Sequence, residues 1–108
     1  MIEGLWIVQF EGLQGEGSGV VVLKDGRALG GDEGYTYVGR YNEENGDFTA
    51  RVTVSNFRRD IANVMGIVGD FELEITAPAK DGVIQGSMGV VGNMGARIAV
   101  KLTKKANF

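Results

Sequence analysis

The stretch that decides the fold is residues 4–32, GLWIVQFEGLQGEGSGVVVLKDGRALGGD. It contains an apolar strand, a glycine-rich crossing, a second apolar strand, an Asp-Gly turn and a short third strand. Successive side chains of a strand point to opposite faces of the sheet, and both faces of the first two strands are apolar here. Two apolar faces need two partners, which are a core on one side and a second surface on the other.

Composition bounds both the fold and the function. The 108 residues suffice for one domain, residues 1–108, and 18 glycines with a single proline favour strands and turns over helices. The formal net charge of -3 is not the basic footprint of a nucleic-acid-binding protein. The chain has no cysteine and no histidine, which removes thiolate metal sites and the commonest general base. We therefore expect no cofactor, no metal and no nucleic-acid partner.

The N-terminal residues, MIEGLW, do not predict a signal peptide, because no basic segment precedes an apolar one. No apolar run approaches the roughly 20 residues that a membrane-spanning helix needs. We predict a cytoplasmic protein with no membrane association.

Apolar residues recur at strand period through most of the chain. The predicted strands are 4–10, a second ending at 24, then 27–30, 35–41, 48–55, 71–76, 83–91 and 94–103. Asp25-Gly26 and Asn45-Gly46 are hairpin signals, and the segment from Pro78 to Gly82 is a predicted turn. Between strands five and six the period becomes helical, which predicts a short amphipathic helix from Asn56, its N-cap, to Ile67.

Eight short strands joined mostly by tight turns predict an eight-stranded antiparallel up-and-down barrel, with the helix closing one end. A barrel of this size is either filled by its own side chains or holds one small ligand. Ten side chains are predicted to form the core: Trp6, Val8, Phe10, Val52, Val54, Phe71, Leu73, Ile75, Ile98 and Val100. The aromatic residues predicted to line a cavity, if one exists, are Trp6, Phe10, Tyr35, Tyr37 and Phe71.

Several short motifs follow one another in order: Gly4-Leu5-Trp6 with Phe10, Gly15-Glu16-Gly17, Lys24-Asp25-Gly26 and Gly30-Gly31-Asp32. In this order and spacing the chain resembles the GrlR-like family, small negative regulators of type III secretion genes. The resemblance continues to about Thr76 and fades beyond it. It implies a lipocalin-like fold, a homodimer, and a function in which a transcriptional activator is bound as a protein rather than through DNA.

The resemblance also implies a partner-binding role for the acidic loop before strand five, here Glu43, Glu44 and Asp47. The family's characterised member has an unbroken acidic run at this place, whereas Asn45-Gly46 interrupts it here, so the resemblance does not extend to the partner's identity. From the residues alone, a solvated hairpin loop and a weak calcium site are the alternative interpretations.

The second apolar face predicts a homodimer interface. If Trp6 faces the core, Leu5 and Ile7 face outward, joined on the second strand either by Val21 and Leu23 or by Val20 and Val22. We predict an interface of Leu5, Ile7, Val21 and Leu23. In the alternative, the predicted helix lies across these residues and the chain is a monomer.

Three classes of function follow. The first is a non-enzymatic regulatory module that binds a protein, as the resemblance implies. The second is a barrel that holds a small apolar or lipid-like ligand. The third, an enzyme, would have to work without histidine or cysteine, and we therefore predict that the protein is not one.

Overall fold

The computed structural model describes residues 2–12, 15–58 and 70–108. The strands are β1 (Gly4–Gly12), β2 (Gly15–Lys24), β3 (Arg27–Gly31), β4 (Tyr35–Glu44), β5 (Asp47–Asn56), β6 (Phe71–Lys80), β7 (Val83–Val90) and β8 (Asn93–Ala106). Each strand pairs antiparallel with the next, and β8 pairs with β1, so the sheet closes into an up-and-down barrel. The predicted eight-stranded antiparallel barrel is confirmed.

The predicted helix, Asn56 to Ile67, falls mainly on residues 59–69, which lie outside the described residues. At its predicted start the structure differs, because Asn56 pairs with Tyr35 as the last residue of β5. The Asn56 side chain does accept a 2.6 Å hydrogen bond from the backbone N–H of Arg58, which is the bond an N-cap side chain makes. No helix occurs in the described ranges, and so none there is long and apolar enough to cross a membrane.

Three two-residue turns lie at one end of the barrel: Asp25-Gly26, Asn45-Gly46 and Asp81-Gly82. The first residue of each has a φ of 52–54° and the glycine a φ of 75–83°. Type I′ hairpin turns require positive φ at both positions, which Asp, Asn and Gly tolerate best. The first two turns are confirmed as predicted.

The third turn corrects the prediction that the chain turns from Pro78 onward, because β6 continues through Pro78 to Lys80. Pro78 pairs with Asp47 of β5, but the β6–β7 pairing is interrupted between Thr76 and Ala79. Proline has no N–H with which to donate a hydrogen bond to a neighbouring strand. Pro78 lies where the β6–β7 pairing is interrupted, so that pairing does not require a donor from it.

The barrel end with the tight turns is filled by large side chains. Trp6, Leu23, Phe48 and Ile84 are almost completely buried there, and the Trp6 indole N–H donates to the carbonyl of Ile2 at 2.8 Å. Eight of the ten predicted core residues are buried, whereas Phe10 and Phe71 are half-buried at the opposite end. The sequence thus predicts the inward phase of β1, β5, β6 and β8 correctly. The barrel is closed at one end and less tightly filled at the other.

Candidate functional site

The barrel interior contains an apolar cavity of about 80 Å³, whose lining runs from Phe10 and Tyr35 at the end opposite the tight turns, which we call the mouth, to Leu23 and Phe48 at the closed end. Four of the five predicted cavity residues line it, namely Phe10, Tyr35, Tyr37 and Phe71. Trp6 does not, which corrects that part of the prediction, because its side chain packs into the closed end. The cavity is therefore bounded by aromatic rings near the mouth and, deeper in the barrel, by aliphatic side chains together with the ring of Phe48.

Two glycines of β2 make room for these rings. Gly17 lies opposite Phe10, and a β-carbon at Gly17 would collide with the Phe10 ring. A β-carbon at Gly19 would lie 2.8 Å from the hydroxyl oxygen of Tyr37. The sequence pattern indicates only a glycine-rich strand entry here, whereas the structure shows that the missing side chains provide space for aromatic ones.

Among the described residues, one carboxylate reaches the cavity, and its hydrogen bonds are supplied by the protein. Asp32 Oδ1 accepts 2.9 Å hydrogen bonds from the backbone N–H groups of Gly34 and Tyr35, and Oδ2 accepts one from the Tyr37 hydroxyl. Burial raises the pKa of Tyr37 far above its usual range, and the hydrogen bond to Asp32 and the charge of that carboxylate raise it further. Tyr37 therefore holds its proton and acts as a hydrogen-bond donor.

Sequence reasoning missed Asp32 as a cavity residue and placed it only in a turn. The signal was available, since an aspartate that opens a short turn commonly accepts hydrogen bonds from backbone N–H groups two and three residues later. Its second oxygen is then free for a side chain. The alternating phase of β4 brings Tyr37 to that oxygen.

The volume of the cavity restricts what the interior can hold. Sites for drug-sized ligands usually measure about 300–1,000 Å³, and an engineered apolar cavity of about 150 Å³ accepts benzene. The 80 Å³ found here is smaller than both. The interior in this conformation is therefore too full for a lipid-like molecule.

The outer wall of the barrel carries a set of exposed aliphatic side chains. Ile7 of β1 lies opposite Val20 of β2, and the two are 37% and 47% exposed. Leu5 lies opposite Val22, two residues along the same strands, and both are half-buried. These four residues, Leu5, Ile7, Val20 and Val22, form what we call the β1–β2 face.

The β1–β2 face corrects the predicted interface at two positions. Val21 and Leu23 are buried inside the barrel. Val21 lies opposite Trp6, and residues directly opposite in a sheet point to the same side, so Val21 must share the inward direction of Trp6. Of the two arrangements left open by the sequence, the structure has Val20 and Val22 outward.

The aliphatic surface continues onto the next two strands. Val22 lies opposite Leu29 of β3, which in turn lies opposite Val38 of β4. Leu29 and Val38 are 43% and 48% exposed. Sequence reasoning did not single out either residue, although Val38 has the outward phase of its strand. Four neighbouring strands thus present one continuous apolar row to the outside.

The predicted partner-binding acids lie together at the β4–β5 hairpin. Glu43, Glu44 and Asp47 are all exposed, and Glu44 lies directly opposite Asp47 across the Asn45-Gly46 turn. Within the described part of the chain, no group of three acidic side chains has an arrangement that could hold a metal ion. The hairpin therefore brings three exposed acidic side chains together at the closed end of the barrel.

The described fold and surfaces define a class of protein: a small up-and-down β-barrel with a nearly filled interior and an apolar strip on its outer wall. No protein-family model matches the chain, and no curated protein matches it. Its own residues are therefore the basis for inferring what it does.

Proposed function

We propose that this chain is a non-enzymatic, cytoplasmic protein-binding module that acts as GrlR-like negative regulators of type III secretion genes do, by sequestering a transcriptional activator. The observation that carries the proposal is the contrast between the two sides of the barrel wall. The inside leaves about 80 Å³, whereas the outside exposes aliphatic side chains on four adjacent strands. Contiguous exposed apolar surface on a folded chain usually marks an interaction site.

The acidic hairpin supports the same function. Glu43, Glu44 and Asp47 are exposed and near one another, so they repel each other unless a cationic surface neutralises them. A transcriptional activator carries a basic surface for DNA, which would supply that neutralisation. In this proposal the hairpin binds the basic surface of the partner and competes with DNA for it.

Self-association is the second part of the proposal. The β1–β2 face is apolar at all four of its positions, and a two-fold contact would bury the face of one copy against that of another. A lipocalin-like homodimer would then leave the acidic hairpin of each copy free for a partner.

The cavity groups support a non-enzymatic role. Asp32 already accepts three hydrogen bonds, and Tyr37 holds its proton strongly. A general base needs a free lone pair and a pKa near the working pH. Tyr37 does not meet the second requirement, because it keeps its proton far above that pH.

Affinity capture from the cytoplasm of the source cells, followed by mass spectrometry, tests the proposal. We expect the wild type to retain a DNA-binding activator and the triple variant Glu43→Gln, Glu44→Gln, Asp47→Asn to lose it. A matched triple variant, Glu11→Gln, Glu16→Gln, Asp81→Asn, removes three exposed acids elsewhere and should retain it. Equal capture by both variants would show that the hairpin is not the binding site, and no captured regulator at all would refute the function.

A second candidate function rests on the cavity, whose lining, as far as the structure describes it, is apolar apart from Asp32 and the two tyrosine hydroxyls. Its volume limits this function to a very small apolar ligand. Native mass spectrometry of the purified protein would detect such a ligand as a fixed mass increment that disappears on denaturation.

A further inference from the structure

Two arginines face each other on the outer wall. Arg27 of β3 lies directly opposite Arg40 of β4, and both side chains are exposed. No described acidic side chain forms an ion pair with either of them. Like charges directly opposite in a sheet are destabilising, so folding alone gives no reason for this pair.

The flanking strands extend the positive charge to both sides. Lys24 lies opposite Arg27, and Arg51 lies opposite Arg40, so four cations stand side by side on β2 to β5. The two outer ones already have contacts within the chain. The Lys24 ammonium lies 4.7 Å from the centre of the Phe108 ring, and Arg51 lies 3.5 Å from Glu74. The central pair is the part of the row available to an anion.

The exposed aliphatic pair lies immediately beside this basic pair. Leu29 and Val38 are opposite each other two residues along the same strands, which is about 7 Å away at the usual rise of a strand. We call Arg27, Leu29, Val38 and Arg40 the β3–β4 face. A surface with an apolar pair on one side and a cationic pair on the other matches a segment with one apolar edge and one acidic edge.

We propose that the β3–β4 face binds an acidic amphipathic helix of the protein partner. This inference rests on the proposed function, since it assumes that the outer wall binds a protein. Among the described strands each one pairs on both sides, so the barrel offers no open edge to an extended peptide. A helix satisfies its own backbone hydrogen bonds and can bind through side chains alone.

The dimensions of the face suit a helix that crosses the strands. Neighbouring strands are about 4.8 Å apart, so the apolar row of Leu29 and Val38 spans about 5 Å, or roughly one helical turn. The basic pair lies about 7 Å to one side of that row, within reach of glutamates that flank the apolar stripe of a helix about 10 Å wide. Glu44 and Asp47, four residues beyond Arg40 and Arg51, repel acids placed further along.

The observations favour a protein helix over the two other macromolecules that cations attract. The chain carries a net charge of -3, and the β3–β4 face has no aromatic side chain on which a base could stack. The acidic hairpin on the same side of the barrel would meet the phosphates of a membrane or of DNA unfavourably.

A defined peptide tests the proposal with the full-length protein. The probe is a fluorescent 20-residue helix with a leucine stripe flanked on one side by glutamates, titrated by anisotropy at low salt. We expect Arg27→Gln with Arg40→Gln to weaken binding roughly tenfold, the loss of two partly exposed charge pairs. A charge-matched control, Lys80→Gln with Lys101→Gln, removes two exposed cations from β6 and β8 and should bind like the wild type.

A charge-reversal variant distinguishes loss of the site from loss of the fold, because it is expected to gain binding to a different peptide. We expect Arg27→Glu with Arg40→Glu to reject the acidic peptide and to bind a version with lysines in place of the glutamates. A glutamate-rich peptide without leucines should bind weakly, as should the original peptide to Leu29→Ser with Val38→Ser.

The other outcomes overturn the inference. Binding that is equal in the two double-glutamine variants would show that the arginine pair is not the site. Stronger arginine-dependent binding to vesicles of anionic phospholipid, or to duplex DNA, would assign the face to a membrane or to nucleic acid. Failure of the peptide while affinity capture still retains an activator would refute the helix site alone, whereas failure of the capture would refute the proposed function.

Discussion

Tyr37 donates a hydrogen bond to Asp32 inside the mouth of the barrel, and the same carboxylate ties the turn between β3 and β4 through two backbone N–H groups. One aspartate thus fixes a turn and the ring of a cavity-lining tyrosine at once. Its carboxylate oxygens are satisfied by the protein, which allows a charge to lie at the edge of an apolar cavity.

We predict that Tyr37→Phe destabilises the fold by about 1.5–3 kcal/mol, the usual value for a hydrogen bond to a charged group. Urea unfolding of the wild type, Tyr37→Phe, Asp32→Asn and the double variant would measure this as a double-mutant cycle. A coupling energy near zero would contradict the arrangement of the two side chains.

The same pair predicts how stability changes at alkaline pH. Burial and Asp32 raise the pKa of Tyr37 in the folded state above the value of about 10 that tyrosine has in an unfolded chain. Above that pH the unfolded chain loses the proton that folded Tyr37 keeps, so the stabilising contribution is complete at neutral pH and falls as the pH rises. We expect the free energy of unfolding to fall less steeply above pH ~10 in Tyr37→Phe than in the wild type. Equal slopes would contradict the raised pKa.

Gly19→Ala should destabilise the barrel by about 1–3 kcal/mol, the cost of adding a methyl group to a full interior. The new β-carbon would lie 2.8 Å from the Tyr37 hydroxyl and equally close to the carbonyl oxygen of Gly31, which is backbone and cannot move freely. Ser18→Ala, one residue away and exposed on the outside, is the control and should be within about 0.5 kcal/mol of the wild type. Chemical denaturation of both variants would measure the two changes in the free energy of unfolding, and an equally small change in both would contradict the close contact at Gly19.

Phe48→Ala should be among the most harmful single changes, at about 3–5 kcal/mol, because the ring is almost completely buried at the closed end. Phe71→Ala should cost less, since that ring is half-buried beside a cavity that already exists. Phe57→Ala, at a side chain that is 58% exposed, should have little effect. Thermal unfolding of the three variants should rank them in this order.

Period-two alternation allowed most of the barrel to be predicted. Trp6, Val52, Leu73 and Ile98 are buried as their phase indicates. β5, β6 and β8 each have only one consistently apolar face, and in β1, where both faces are apolar, the aromatic side chains mark the inward one. In β2 the residues on both faces are apolar, so alternation alone could not decide between Val20 and Val21. Only the pairing of Val21 with Trp6 decides it, and pairing is a property of the folded sheet.

The surfaces were harder to predict for a related reason. Arg27, Leu29, Val38 and Arg40 are separated in sequence and become neighbours only through the register of β3 and β4. Each is unremarkable as a single exposed residue. The acidic hairpin was easier to find, since Glu43, Glu44 and Asp47 are close in the chain as well as in space.

The last prediction concerns the β1–β2 face. If two copies associate through it, Ile7→Lys places a charged ammonium in the centre of an apolar contact and should abolish the dimer at micromolar concentration, while leaving the barrel folded because Ile7 points outward. Gln9→Lys, an exposed outward position two residues along the same strand, adds the same charge outside the face and should remain a dimer. Sedimentation velocity with circular dichroism measures both properties at once. A monomeric wild type, or an unfolded Ile7→Lys variant, would mean that another part of the same chain covers Ile7 and Val20. In that case the alternative stated from the sequence, a helix lying across these two strands, would replace the homodimer.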